Sequence, residues 1–451
     1  MSQYAARGAA SLGCSHEEIL EGFFPAAELG DADTSPNVRV GLFPNTPQGG
    51  YVDVINVRNT GPDDLSWSLT PEPEGMDPLP AQPSGVQWTV HWEEGGFVIR
   101  EGATDSAPVV WPDDGQPVGG FETALRAEVS PTSRAYLTSK NHEYARGTLE
   151  FLSRGTSASS GMSVVIDVPT VEEYLYGLAE VPSSWEAAAL ETQAISGRSF
   201  VVDRRESGPV QRANCHCTVY DSTSDQVYAG WTKETGANGD RWVDAVDATA
   251  GRVLTWDQYQ DGTMDVVPIY YSSSHGGHSS AASDVWNSPE AANGYLTAVD
   301  ISRWEQAAPE NPYHRWSAGF TAEELASRLG LDTVTAFEVV ERAPGGRPCS
   351  DASPTDPCEQ VDKQPSNGVK GSHVGGVVVT GLLGEEEVVK RYNSEGIRAA
   401  LGGGPGWRDG ILNGLFHVDD ISLPWQRLDG ETRIDTAIRL SADGWGDGAD
   451  T

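Results

Sequence analysis

The residue best suited to acid–base chemistry is Glu180, which lies in a short turn just before the longest helical pattern in the chain. Its neighbours Leu178, Val181, Pro182 and Trp185 are apolar. A carboxyl group among apolar side chains is disfavoured as an anion, so we expect its pKa to rise towards the range of a general acid. The alternative is structural, because a carboxylate is also favoured at the positive end of a helix dipole.

The helix that positions Glu180 is predicted from Ser184 to about Arg205. Ser183 is a good N-cap residue and Glu186 stands three residues later, so the two form a predicted capping box. This assigns Glu186 to the helix terminus and leaves Glu180 as the one well-placed carboxyl group of the region. Trp185 beside it offers an aromatic face of the kind that stacks on sugar rings.

Cys215, His216 and Cys217 are a second chemical candidate, because thiolate and imidazole groups bind zinc. The Cys-x-Cys spacing lacks the usual gap of about two to four residues between ligands. Two further ligands would have to come from elsewhere, such as His275 or His278. We favour buried or mutually oxidised cysteines and therefore expect no cofactor, with zinc as the alternative.

The elements around these residues predict a mixed α+β fold. Residues 36–166 are rich in alternating apolar and polar segments such as VRVGLF, VQWTVHW, GTLEF and MSVVIDV, separated by Gly, Pro and Asp. We expect this β-rich region to pack with an α/β core, residues 167–417, built around the long helix at 184–205. A short helix is predicted at 15–24, where Ser15 and Glu18 form a capping box.

Composition excludes several partners. The 451 residues include 66 Asp+Glu and 30 Lys+Arg, which gives a formal charge of −36. Nucleic acids and anionic membranes need clustered basic residues, so neither is an expected partner. No apolar run reaches the roughly 18 residues of a membrane span.

In an oxidising compartment, Cys349 and Cys358 could close a small loop.

Five ordered motifs resemble the SpoIID/LytB family, named after the stage II sporulation protein D and an amidase enhancer. The first is VEEYLYGLAEVPSSWEAAALETQAISGRSF at 171–200. It is followed by CHCTVYDSTSDQVYAGW at 215–231, AVDATAGRVLTWD at 245–257, IYYSSSHGGHSSAASDVW at 269–286 and YLTAVD at 295–300. The resemblance covers about residues 38–417. It implies a peptidoglycan substrate.

The activity that this resemblance implies is lytic transglycosylase. Such an enzyme cleaves the β-1,4 bond between N-acetylmuramic acid and N-acetylglucosamine without water, leaving a 1,6-anhydro product. Glu180 occupies the place of the family's proposed catalytic Glu, although the turn from Gly177 to Glu180 is about two residues shorter than usual. One alternative is a non-catalytic enhancer that binds an amidase or the glycan. Another is a structural protein that only adheres to the wall.

The resemblance also implies substrate-contacting residues. Within the helix, Gln193, Ser196 and Arg198 match the family's pattern, and they either support the site or tie the helix to the β region. The loop at 272–279 resembles a Ser- and Gly-rich family segment. Its hydroxyl groups suit sugar recognition and its paired glycines allow a ligand to approach the backbone, although turn formation alone also explains them. The expected substrate-binding residues are Trp185, Gln193, Ser196, Arg198, Tyr271, Ser273, Ser274, Gly276, Gly277 and His278.

Both ends of the chain carry partial motifs. Residues 1–29 contain MSQYAARGA, which is similar to the second half of a family Gly-His-Gly-x-Gly-Met-Ser-Gln-Tyr element. Residues 425–451 resemble the first part of a cell-wall-binding repeat. These resemblances imply an exported, wall-associated protein that continues beyond both ends, and no signal peptide is recognisable at Met1. The expected partners are glycan strands of peptidoglycan and, in the enhancer alternative, a cell-wall amidase.

Overall fold

A computed structural model describes most of the chain. The described residues are 1–43, 52–76, 78–104, 106–120, 123–153, 161–208, 212, 215–275, 277, 279, 281–282, 294–312, 316–342, 374–402, 417–421 and 438–442. The predicted Cys349–Cys358 pair lies outside these residues. No helix in these ranges is long and apolar enough to cross a membrane.

The described part of the chain contains both helices and strands, which confirms the mixed class. The helices are α1 (Gln3–Ser11), α2 (His16–Phe23), α3 (Val171–Tyr176), α4 (Ala187–Ser207), α5 (Trp231–Thr235), α6 (Gly239–Ala248), α7 (Ser302–Ala307), α8 (Ala322–Leu329) and α9 (Ser394–Leu401).

Most strands lie in the region that the sequence predicts to be β-rich. The strands are β1 (Glu28–Asp31), β2 (Val38–Phe43), β3 (Val54–Asn59), β4 (Ser66–Thr70), β5 (Gln87–Glu93), β6 (Gly96–Glu101), β7 (Val109–Trp111), β8 (Ala124–Val129), β9 (Ala135–Leu137), β10 (His142–Tyr144), β11 (Gly147–Ser153), β12 (Met162–Val168), β13 (Val219–Tyr220), β14 (Arg252–Trp256), β15 (Asp265–Val266), β16 (Trp316–Phe320), β17 (Thr333–Arg342), β18 (Val374–Leu383), β19 (Glu386–Asn393), β20 (His417–Ile421) and β21 (Ile438–Ala442).

The chain divides into two compact units. The central unit comprises Leu29–Leu254 and Val266–Ile269. The terminal unit comprises Met1–Glu28, Thr255–Asp265 and Tyr270–Thr451. The strands β1, β14 and β15 lie where the chain passes from one unit to the other.

Two six-stranded sheets lie in the described residues of the central unit. One has the order β10-β9-β3-β5-β6-β7 and the other the order β13-β2-β12-β11-β8-β4. Side chains from the two sheets meet in the core, where the ring of Trp67 lies 5.8 Å from that of Trp88 and 5.7 Å from that of Phe151. Strands β3 and β4 alternate between buried and more exposed residues, whereas β5 and β12 are buried on both faces. The contact between Trp67 of β4 and Trp88 of β5 joins the two sheets.

Helical elements of the central unit pack on this β-rich region. Arg146, between β10 and β11, donates two hydrogen bonds of 2.9 and 2.8 Å to Glu234 of α5. Another element approaches α4 closely at Gly197. A Cβ atom there would lie 2.6 Å from Leu178 and 3.2 Å from Leu175. Glycine at this position therefore lets α3 and the turn after it approach α4.

The long helix begins later than the sequence predicts. Its N-cap is Glu186, without a side-chain capping bond, and its first residue is Ala187. The predicted capping box between Ser183 and Glu186 is therefore wrong. The amide of Trp185 bonds instead to the carbonyl of Pro182 at 3.2 Å, which makes a turn of the residues assigned to the first helical turn. The capping box of Ser15 and Glu18 is confirmed.

The described part of the terminal unit contains two three-stranded sheets and five helices. One sheet, β17-β18-β19, packs with α8 and α9 around Phe320, Leu325, Phe337, Val379 and Ile397. The other has the order β16-β21-β20, so a strand from the segment resembling a wall-binding repeat pairs with β16 and β20. Helix α1 packs closely on α7, since a Cβ on Gly8 would lie 1.8 Å from the carbonyl oxygen of Trp304.

Candidate active site around Glu180

Glu180 lies in a turn that pairs with the segment before α5. The amide of Ala179 donates to the Val227 carbonyl, and the amide of Ala229 donates to the Gly177 carbonyl, both at 2.8 Å. The amide of Val227 donates to Oε1 of Glu180 at 2.6 Å. This last bond fixes the direction of a carboxyl group that is only half-buried. The side chain is therefore oriented and still reachable from outside.

Of the apolar residues that flank Glu180 in the sequence, Pro182 is exposed. Leu178, Val181 and Trp185 are all buried. Trp185 is 5% exposed, so little of its ring is available to stack on a sugar. This favours a packing role for Trp185.

Two cations from α5 and α6 hold the loop between Glu180 and α4. Lys233 Nζ donates to the Val181 carbonyl at 2.7 Å. Arg241 donates to the carbonyls of Ser184 and Trp185 at 2.9 and 2.7 Å. Because these two carbonyls bond to a guanidinium group, the segment forms a loop where the sequence predicts a helix. The loop that follows Glu180 is therefore fixed before any ligand binds.

Burial also changes the acid–base behaviour of Lys233. Its ammonium group lies 5.1 Å from the centre of the Trp242 ring. Desolvation lowers the pKa of Lys233 to about 8.

The short turn before Glu180 depends on a glycine. A Cβ atom on Gly177 would lie 2.4 Å from the ring of Tyr228 and 2.8 Å from the Cα of Gly230. The ring of Tyr228 is itself stacked on Tyr174, with centroids 5.3 Å apart. The backbone at Gly177 thus approaches a packed aromatic pair, which fixes the start of the turn.

Gln193, Ser196 and Arg198 lie inside the central unit. Ser196 and Arg198 are fully buried and Gln193 is 1% exposed. The guanidinium of Arg198 donates to Glu172 at 2.9 and 2.7 Å and to the carbonyls of Arg252 and Val246. Side chains so enclosed have no surface for a glycan. Arg198 therefore ties α4 to α3, α6 and β14, whereas the structural alternative expected a tie to the β region at 36–166.

The Ser- and Gly-rich loop belongs to the terminal unit. Its described residues include Ser273, Ser274 and Gly277, and Tyr271 lies just before it, whereas Gly276 and His278 lie outside the described residues. Backbone bonds of 2.9 and 3.0 Å join Ser272 and Ser273 to the amides of Gln3 and Tyr4. The structure therefore brings this loop together with the N-terminal Ser-Gln-Tyr motif, while Glu180, Trp185, Gln193, Ser196 and Arg198 belong to the central unit.

Glu305 of α7 is a buried carboxyl group that the sequence reasoning missed. Its oxygens accept hydrogen bonds from Ser2, Ser274, Asn311 and the amide of His275. Burial raises the pKa of Glu305, and the hydrogen bonds oppose that rise. A single Glu in the short segment SRWEQA resembles a residue of a solvated helix face, so the sequence holds no signal of its burial.

The Cys-His-Cys segment holds a disulfide. Cys215 and Cys217 are bonded to each other and buried next to Val165. Sulfurs bonded in this way cannot serve as thiolate ligands, so this oxidised form does not fit a zinc site at the two cysteines. Among the described residues, no group of three or more His, Cys, Asp or Glu side chains is placed to hold a metal ion.

Comparison with known proteins supports the resemblance. Residues 158–256 match the family described as Stage II sporulation protein, or SpoIID. This stretch contains the Glu180 turn, α4 and the disulfide. No solved structure matches the chain.

Three characterised relatives match parts of the chain. It is 29% identical over 170 residues to the Stage II sporulation protein D of Bacillus subtilis. The aligned residues make up 36% of this chain and 46% of that relative. It is 31% identical over 109 residues to the Amidase enhancer of Bacillus subtilis, and here the aligned residues make up 24% of this chain and 12% of the relative. The Stage II sporulation protein D of Bacillus amyloliquefaciens is 26% identical over 187 residues, 39% of this chain and 51% of the relative. The chain thus spans at most about half the length of these relatives.

Proposed function

Because the chain carries a domain of the SpoIID/LytB family, we propose that it is an exported peptidoglycan-processing protein and a lytic transglycosylase with Glu180 as its catalytic residue. The observation that carries this proposal is the placement of one half-buried carboxyl group on a fixed turn. A backbone amide orients it and a cation-bound loop follows it.

A single carboxyl group is sufficient for this reaction. Glycoside hydrolases usually use two carboxylates, since one protonates the leaving oxygen while the other activates water or attacks the sugar. In the proposed reaction, protonated Glu180 donates its proton to the glycosidic oxygen as the bond to the anomeric carbon of N-acetylmuramic acid breaks. The resulting carboxylate takes the proton of the 6-hydroxyl group of the same sugar. That oxygen bonds to the anomeric carbon and closes the 1,6-anhydro ring, which regenerates protonated Glu180.

The residues around Glu180 supply orientation. Val227 holds the carboxyl group through its amide, and Lys233 holds the carbonyl of the next residue, Val181. Fixing a reacting group before the substrate binds removes reorganisation from the reaction step. The hydroxyl-bearing loop with Ser273 and Ser274 is the proposed glycan-binding segment of the terminal unit.

A second candidate is supported by the match to a protein named Amidase enhancer. In that function the chain binds glycan strands or a cell-wall amidase and cleaves nothing itself. The orientation of Glu180 does not exclude a binding role, so the products of the purified protein must decide.

The test is incubation of the purified protein with purified peptidoglycan, followed by mass spectrometry of the released fragments. Fragments that end in 1,6-anhydro-N-acetylmuramic acid are expected. Reducing N-acetylmuramic acid ends would show a hydrolase and contradict the proposed chemistry. If the protein alone releases nothing but accelerates fragment release by an added cell-wall amidase, the enhancer function is correct.

A further inference from the structure

Glu305 joins three separate segments of the terminal unit through one carboxylate. Its oxygen Oε1 accepts from the hydroxyl of Ser2 and from the amide of His275, the latter at 2.9 Å. Its oxygen Oε2 accepts from the hydroxyl of Ser274 at 2.8 Å and from the side-chain amide of Asn311. The residue is 1% exposed. A carboxylate so deeply buried is tolerated only when hydrogen bonds replace its hydration.

The contacts of Glu305 fix a specific backbone arrangement. Ser2 is the N-cap of α1, and its hydroxyl also accepts from the amide of Ala5 at 3.2 Å. The chain at Gln3 and Tyr4 bonds to the carbonyls of Ser272 and Ser273. The same carboxylate therefore restrains both the start of α1 and the loop that pairs with it.

We infer that Glu305 is the positioning residue of residues 272–275 in the Ser- and Gly-rich loop, holding Ser274 and His275 against the Ser2–Tyr4 segment so that this stretch is preformed for a glycan strand. Glu305 does not touch the glycan itself, because its side chain is enclosed. The binding part of this inference rests on the proposed function of the loop.

The chemistry of the four donors distinguishes hydrogen bonding from simple packing. Glu305→Gln keeps the size and one acceptor oxygen. That oxygen should face the backbone amide of His275, because this amide can only donate. The new NH2 group of the glutamine would then face Ser274 and Asn311, whose side chains can rotate to accept from it. Glu305→Met keeps a similar size but accepts no strong hydrogen bond, so it leaves the donors unsatisfied.

Hydrogen exchange of the full chain, read by mass spectrometry, tests the arrangement directly. In Glu305→Met, exchange in the peptides that cover residues 2–6 and 272–275 should accelerate by roughly 10- to 100-fold. In Glu305→Gln it should stay within about threefold of the wild-type rate. The exposed Glu310 gives a matched control as Glu310→Gln, and the Val227 amide of the central unit should be unchanged throughout. Equal exchange in the Gln and Met variants would overturn the inference.

If Glu305→Met does not fold, Ser274→Ala gives a milder test. It removes one donor, so exchange should accelerate at 272–275, with a smaller acceleration at residues 2–6, whose amides at Gln3 and Tyr4 bond to the carbonyls of Ser272 and Ser273. Unchanged exchange at 272–275 would contradict the positioning role.

Binding to purified glycan strands tests the consequence for function separately. Glu305→Met should weaken binding by about tenfold or more, whereas Glu305→Gln should bind nearly as well as wild type. If the wild type binds no glycan, the proposed function fails while the exchange result still decides the positioning role. If exchange changes as expected but binding does not, the loop is positioned by Glu305 and does not bind glycan.

Discussion

The orientation of the Glu180 carboxyl group depends on a backbone donor, since the amide of Val227 lies 2.6 Å from Oε1. This donor is independent of the protonation of any other side chain. A glutamine at the same position keeps an acceptor oxygen for it. The orientation and the acid–base function of Glu180 can therefore be separated by one substitution.

The first prediction is that Glu180→Gln keeps the fold and the glycan affinity but loses cleavage. Removal of a general acid–base group should reduce the rate by about 10²- to 10⁴-fold. Release of anhydro fragments measures the rate, and sedimentation with peptidoglycan measures binding. Glu186→Gln is the control, because Glu186 makes no side-chain capping bond to α4, and it should cleave nearly as fast as wild type. Wild-type cleavage by Glu180→Gln would rule out the proposed mechanism.

The second prediction concerns Lys233, whose pKa is lowered to about 8 by burial. An unfolded chain holds this proton up to the ordinary lysine pKa of about 10.5, so between these two values the unfolded state binds more protons than the folded state. The free energy of unfolding contributed by Lys233 should therefore rise with pH from about 8 to about 10.5.

Urea unfolding at several pH values in this window checks the sign. The difference in unfolding free energy between wild type and Lys233→Met should shift in favour of wild type as the pH rises. Lys233→Arg keeps the charge without titrating in this range and should also lack the rise. A difference between wild type and Lys233→Met that is constant with pH would show that the folded pKa is not lowered.

At the scale of elements, local patterns predict the strands well. The segments VRVGLF, GTLEF and MSVVIDV form β2, β11 and β12, because they are rich in residues such as Val, Ile and Phe, which favour strands. The same locality explains the capping box at Ser15. Where nearby residues along the chain determine the local structure, it can be predicted from the sequence.

Distant partners explain where that reasoning fails. The start of α4 is displaced by Arg241, which lies more than 50 residues later in the sequence and bonds to the carbonyls of Ser184 and Trp185. The role of Glu305 depends on Ser2, at a separation of 303 residues. No local pattern encodes such pairs. The turn carrying Glu180 could be predicted, but the residues that hold it could not.

The third prediction tests the structural role of the Arg198–Glu172 pair, which ties α3 to α4. Arg198 is fully buried and pairs with Glu172 at 2.7 Å. Glu172→Ala leaves a buried cation without its carboxylate, so the free energy of unfolding should fall by about 3–5 kcal/mol. Chemical denaturation measures the change, and the folded fraction should still bind glycan with wild-type affinity.

Asp31 and Arg252 provide the matched control for that experiment. They also form an ion pair, at 3.2 Å, but the side chain of Asp31 is 74% exposed. Asp31→Ala should therefore cost less than about 1 kcal/mol. If Glu172→Ala costs no more than Asp31→Ala, or if it removes glycan binding from folded protein, Arg198 has a role other than joining the helices.

At the scale of the whole molecule, the main feature is a large net negative charge. A formal charge of −36 on 451 residues implies strong mutual repulsion among carboxylates in the folded state. Several ion pairs oppose it, but exposed pairs contribute little each. Added salt therefore raises stability if repulsion among carboxylates is the larger interaction, and lowers it if the ion pairs are. The size of the net charge indicates that repulsion is the larger.

The fourth prediction follows from screening of that repulsion. Raising NaCl from about 10 to about 150 mM shortens the Debye length from about 30 to about 8 Å, which weakens repulsion between exposed charges across the surface. We expect the Tm at neutral pH to rise over this range, as measured by circular dichroism. The same series near pH 4.4, the isoelectric point, is the control, because repulsion is small there and screening mainly weakens ion pairs. A Tm that falls with salt at neutral pH would show that ion pairs outweigh repulsion. An equal rise at both pH values would show that the salt acts through hydration and not through charge.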